Sequence, residues 1–185
     1  MIKRLLLLAL FGSLTQVNAA TVSFNPDSVS VVSGKSFSID ILGSDFDVVL
    51  DGGGLDLAFD PAILEVTDVT IDTDIWDPAI SGINGRIDNT RGKVTGVFFN
   101  SFANRSGNFR IGTIDFKASA PGTTALQLSE YSVNPFASGG AVTPVTLTDA
   151  TVKVSAVPLP GAAWLMLSGL GFLAGFKKRP KTGVS

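Results

Sequence analysis

Between residues 52 and 69 the chain runs Gly52-Gly53-Gly54-Leu55-Asp56-Leu57-Ala58-Phe59-Asp60-Pro61-Ala62-Ile63-Leu64-Glu65-Val66-Thr67-Asp68-Val69. Leu55, Leu57 and Phe59 alternate with Asp56, Ala58 and Asp60. That is the period of two expected of a strand with one face on a core. Asp60-Pro61 ends it, because proline donates no backbone hydrogen bond and the aspartate side chain can cap the turn. After the short turn Ala62-Ile63-Leu64, Val66, Val69 and Ile71 open another strand. Strand, tight turn, strand is the unit from which the domain is built.

Outward from this unit the same grammar continues in both directions. Upstream, Thr21–Phe24, Val29–Val32 and the alternating Phe37, Ile39 and Ile41 read as strands, with Asn25-Pro26-Asp27 and Ser33-Gly34-Lys35 as turns. Asp45–Asp51 reads as a polar loop. Downstream, 73–93 is polar and irregular, and Val94–Phe99 and Ile111–Ala118 are strands separated by a loop over 100–108. Ala125–Leu128, Val145–Leu147 and Thr151–Val154 complete the set. About nine short strands, frequent turn residues and no amphipathic helix predict an all-β, antiparallel β-sandwich. A parallel sheet would need covering helices that the sequence does not supply.

The run from Gly52 to Val69 resembles the cohesin signature of an alternating strand, Phe-Asp-Pro and a Leu-Glu-Val turn. Gly92-Lys93-Val94 to Asn100, the segment Ile111 to Ala118, and Asp149 to Val154 are similar to the later strands of that family. The resemblance implies the jelly-roll-like sandwich that cohesins share with carbohydrate-binding modules. It also implies partner binding, in the best-known cases to calcium-loaded dockerins. Gly52 and Gly54 stand near places where dockerin-binding cohesins often carry polar contacts.

The two ends of the chain carry a different kind of information. Lys3 and Arg4 precede the apolar run Leu5–Leu14, and Val17-Asn18-Ala19 offers small residues for cleavage between Ala19 and Ala20. Residues 1–19 therefore read as a secretory signal peptide. At the other end Val157, Pro158, Leu159, Pro160 and Gly161 lead into a charge-free apolar segment, and Lys177, Lys178, Arg179 and Lys181 follow at once. A helix over about 161–176 is roughly 25 Å long, short for a hydrocarbon core of about 30 Å. The basic end should stay cytoplasmic. Pro-x-Pro, short apolar segment and basic cluster, in that order, resemble a PEP-CTERM sorting tail of the VPLP subclass. Leu159 stands where the name-giving motif has Glu. The resemblance implies an exosortase as processing partner and a Gram-negative source. The expected organisation is signal peptide 1–19, cohesin-like domain 20–156 and sorting tail 157–181.

All 16 acidic residues fall between Ala20 and Val157, with only eight of the 14 basic ones, so this portion carries about −8. Nucleic-acid binding needs a basic stripe, and none is expected. No His and no Cys occur in the chain, which excludes disulfides, His or Cys catalysis and His/Cys zinc sites. Asp45, Asp47 and Asp51, and again Asp72, Asp74 and Asp77, make acid-rich stretches in which calcium is conceivable. Neither has EF-hand spacing, and both read as solvated loop acids. No catalytic, cofactor or metal residue is assigned. Trp76, Phe98, Phe99, Phe102, Phe109 and Phe136 are candidates for a sugar-stacking face, and adjacent Phe98 and Phe99 must point to opposite sides of a strand. The expected function is a non-enzymatic binding module, exported and held at the inner membrane before processing, then delivered to the cell surface or matrix. Its expected ligand is an extracellular protein. A carbohydrate-binding module recognising a polysaccharide is the alternative.

Overall fold

A computed structural model describes residues 20–81 and 83–158, together with Leu165, Met166 and Leu170. Eleven strands follow one another: β1 (Ala20–Asn25), β2 (Ser28–Val32), β3 (Ser36–Ala58), β4 (Leu64–Ile71), β5 (Ile83–Asp88), β6 (Lys93–Ala118), β7 (Gly122–Glu130), β8 (Ala137–Ser138), β9 (Ala141–Val142), β10 (Val145–Thr148) and β11 (Ala150–Ser155). No helix occurs between residues 20 and 158 among those described.

The architecture rests on two long antiparallel strands, β3 and β6. The first half of β3, Ser36–Gly43, pairs with the far half of β6, Phe109–Lys117, and β1 and β4 flank this pair. The last part of β3, Gly52–Ala58, pairs with the near half of β6, Lys93–Asn100, flanked by β5 and β7. Each long strand thus contributes to both layers of the sandwich. Register shifts between Gly43 and Phe46, Phe46 and Leu50, and Leu50 and Gly52 carry β3 across. Such bulges bend a strand and increase its twist.

Both chain ends also change layers. β1 leads through Asn25-Pro26-Asp27 into β2, and β10 leads through Asp149 into β11. The first and last segments consequently run side by side: β1 pairs with β10 and β2 with β11, both in parallel. The expected sandwich is therefore antiparallel in its body and parallel at these two terminal pairs. Partners so distant in sequence need no short crossover, so the pairing costs no helix.

The core fills from alternate residues of both layers. Ile39, Ile41, Ile114 and Phe116 come from one, and Leu55, Leu57, Val94, Val97, Leu126 and Val152 from the other, each under 4% exposed. Asp60 behaves as its sequence implies: its carboxylate accepts from Ala62 N–H at 2.9 Å, and its carbonyl accepts from Leu64 N–H at 3.0 Å.

Three expectations change. Residues 45–51 and 100–108 are extended parts of β3 and β6, not loops, because Phe46 and Leu50 are buried and tie the first segment to the core. β5 lies within the stretch expected to be irregular. Its Asn84 and Arg86 are exposed, as an edge strand permits, and that exposure removes the apolar alternation. Residues 1–19, 159–164 and 171–181 lie outside the described residues, and with them the signal peptide and most of the sorting tail. Leu165, Met166 and Leu170 are helical and exposed. No helix among the described residues is long and apolar enough to cross a membrane.

Candidate functional site

The outward face of the β5–β6–β3–β7 layer holds an open groove of ≈ 490 Å³. Arg86 and Asp88 of β5, Lys93, Thr95 and Phe98 of β6, and Arg91 and Tyr131 around them line it. Its floor follows from a bulge. Leu55 is opposite Val97 but Leu57 is opposite Val94, so Thr95 and Gly96 together face Asp56. Gly96 takes the left-handed φ of 73°, and its N–H donates to Asp56 Oδ1 at 2.7 Å. The aspartate thereby satisfies the amide that the bulge frees.

Tyr131 lies over this floor. A Cβ on Gly96 would sit 3.3 Å from its ring, and one on Gly54 would sit 3.0 Å from its Cβ and 2.9 Å from the Asn134 carbonyl. The bare backbone of Gly54 and Gly96 therefore makes room for an aromatic side chain. Asn134 fixes the connection by donating to the Gly53 carbonyl at 2.9 Å. Phe98 stands in the same groove, half-buried, while Phe99 points inward and is fully buried against Trp76 and Phe136. The opposite facing of the pair is as the strand period requires.

The charge of the groove is opposite to that of its surroundings. Arg86, Arg91 and Lys93 are three of only eight basic residues between Ala20 and Val157. Asp88 pairs with Arg91 at 3.3 Å and accepts from the Thr90 and Arg91 backbone N–H groups, both at 3.1 Å. The Arg91 N–H above all, and then the Arg91 charge, hold the Asp88 carboxyl below the ordinary aspartate range. Arg86 and Lys93, both exposed, form no ion pair among the described residues. Two uncompensated cations beside two aromatic rings can take an anionic ligand with an apolar face.

The other candidates separate. Trp76, Phe99 and Phe136 are core residues, and Trp76 donates its ring N–H to the Arg110 carbonyl at 3.1 Å. Phe109 is half-buried against Trp76 and Phe46. The expected aromatic face thus reduces to Phe98, joined by Tyr131, and to Phe102, which is 82% exposed and stands apart. Asp72 and Asp77 serve local structure. Asp72 takes the Arg110 guanidinium at 2.8 Å and caps Asp74 N–H, and Asp77 caps Ala79 N–H at 2.9 Å. No group of three acidic side chains among the described residues is placed to hold a metal ion. Of the sorting residues, Val157 and Pro158 are described and exposed, and Ala20 is buried as the first residue of β1. Sequence reasoning missed Arg86, Lys93 and Gly96. The spacing Arg86-Ile87-Asp88-Asn89-Thr90-Arg91-Gly92-Lys93, with three cations in eight residues of an acidic domain, was the available signal.

The architecture is that of a cohesin-type β-sandwich. Solved structures carry this likeness along nearly their whole length. The seventh ScaB type I cohesin from Pseudobacteroides cellulosolvens matches with a TM-score of 0.59 at 16% identity, over 77% of this chain and 96% of its own. The non-cellulosomal cohesin from the archaeon Archaeoglobus fulgidus matches at 0.58 and 15%, over 80% and 98%. The third ScaB cohesin of R. flavefaciens, solved in complex with a group 1 dockerin, matches at 0.50 and 12%, over 77% and 99%. At such identities the likeness is one of fold. No family model and no curated protein sequence matches the chain.

Proposed function

We propose that this chain is an exported binding module that captures a protein partner on the β5–β6–β3–β7 face, without catalysis. The observation that carries the reading is the groove itself: a shallow surface with two aromatic rings on a rigid sheet, edged by unpaired cations. Exposed aromatics and arginines on a fixed scaffold are the ingredients of interface hot spots. The R. flavefaciens cohesin of the same fold was solved with a protein partner, which supports a protein over a small molecule. Export through the signal peptide, with cleavage between Ala19 and Ala20, would leave Ala20 of β1 at the N-terminus. Retention by the 161–176 segment and hand-over to an exosortase would then deliver the domain to the surface or matrix.

The test is proximity cross-linking on intact cells with a photoreactive residue at Thr95, which lines the groove and is exposed. One protein adduct is expected, lost in Phe98→Ala/Tyr131→Ala while the fold persists. Adducts that survive this double change would remove the groove as the site. A polysaccharide reading draws on the same ring pair, since aromatic faces also stack on sugars. Glycan-array binding lost in the double variant, with no protein adduct, would favour it.

A further inference from the structure

The segment Asp45-Phe46-Asp47-Val48-Val49-Leu50-Asp51 has the chemistry that the groove lacks. Phe46 and Leu50 are 2% and 0% exposed and act as two anchors in the core. Between and beside them Asp45, Asp47, Val48 and Val49 are held outward, the two valines 36% and 40% exposed. Register shifts on either side of Phe46 and Leu50 set this outward course. Asp45 takes a left-handed φ of 60° and donates its N–H to Asn108 Oδ1 at 3.0 Å. The Asp47 carboxylate has no partner within the chain among the described residues. The result is an acidic and apolar edge, held by β6 and the core, that turns Asp45, Asp47, Val48 and Val49 to solvent.

We infer that the groove of one copy receives the Asp45–Val49 edge of another, so that the protein associates with itself head to tail. The inference rests on the reading of the groove as a partner site, and names that partner as a second copy of this chain. Charge complementarity favours it. Arg86 and Lys93 are unpaired cations beside Phe98 and Tyr131, whereas Asp45 and Asp47 are exposed acids beside Val48 and Val49. The two surfaces are different patches of one molecule, so the contact is heterologous. Each bound copy leaves one groove and one edge free, and such contacts continue into chains unless the rotation closes a ring. A domain near −8 overall repels its copies in general. An orientation that places the acidic edge on the cationic groove relieves that repulsion, which gives the contact its direction.

The full chain in detergent micelles, followed by sedimentation velocity up to about 200 µM, where weak interfaces are populated, tests this. We expect assemblies that grow with concentration and dissolve as salt rises from about 20 to about 500 mM, since exposed charge pairs are screened. Arg86→Glu/Lys93→Glu and, separately, Asp47→Lys/Val49→Ser each change only exposed side chains and should each remain monomeric with unshifted thermal melts. Mixed together they should assemble again, because the unaltered edge of the first meets the unaltered groove of the second and the two charge-reversed patches are complementary to each other. Asp47→Asn, a milder change, should weaken assembly about two- to fivefold, as expected of one exposed ion pair. Monomeric wild type at the highest concentration in low salt overturns the inference, as does assembly indifferent to both double variants. A cross-linked partner of another sequence, with no self-association, overturns the inference while the groove reading stands.

Discussion

Tyr131 lies over the groove floor because two neighbouring residues, Gly54 and Gly96, lack side chains. A Cβ at Gly54 would press on the Asn134 carbonyl and on Tyr131 at distances that backbone cannot relieve cheaply. Gly54→Ala should therefore displace the ring and cost about 1–3 kcal/mol, as overpacking does. Thermal melts and partner cross-linking at Thr95 check both halves: a lower midpoint with adducts strongly reduced. An unshifted Tm and normal adducts would mean that the ring is not held by this contact. Asp88 supplies a second residue-scale prediction. Its folded pKa is lowered, so its contribution to stability is present above its unfolded value and lost as pH falls through the lower folded value. Carboxyl-carbon NMR should give a midpoint below the ordinary aspartate range. Arg91→Gln should restore it only in part, because the largest cause is the Arg91 backbone N–H, which the variant keeps. Complete restoration would transfer the cause to the ion pair.

Among the elements, the long strands β3 and β6 decide how the layers join. Leu50, fully buried, ties the Asp45–Asp51 segment to the core at the point where β3 changes layer. Leu50→Ala should cost about 2–5 kcal/mol, the range for large-to-small changes in a packed site, and should loosen the outward edge with it. Urea unfolding checks the first effect. Sedimentation checks the second, and a destabilised protein with undiminished self-association would separate the edge from its anchor. This segment also shows why part of the fold was legible and part not. Leu55, Leu57 and Phe59 alternate cleanly because one layer covers them, so that strand and its Asp60-Pro61 stop follow from the residues alone. Phe46 and Leu50 are four apart, and the bulges between them break the period of two, so the acids around them read as a loop. β5 was hidden for the opposite reason, since an edge strand exposed at Asn84 and Arg86 need not alternate at all. In the groove, Phe98 was identifiable from its quarrel with Phe99 over one strand face. Tyr131 reaches the same place through pairing of β3 with β7, which local pattern does not encode.

On the scale of the whole molecule, the distribution of charge and the tail concern the same question, where the domain works. Residues 20–157 carry about −8, whereas the basic cluster Lys177, Lys178, Arg179 and Lys181 lies beyond the apolar segment. Processing ahead of that cluster would strip four cations and leave an acidic product whose groove keeps two cations, Arg86 and Lys93, outside any ion pair among the described residues. The net repulsion between products would then rise, and the groove-to-edge contact would offset part of it. Intact mass of the protein from its native cells measures this directly. The expected species begins at Ala20 and lacks Phe176 and Lys177. A mature species that retains both residues would refute tail processing and leave the domain attached through an uncut segment. An N-terminus upstream of Ala20 would refute signal cleavage between Ala19 and Ala20. In that case residues would precede β1, which lies between β10 and β3, and the mature chain would no longer begin with that strand.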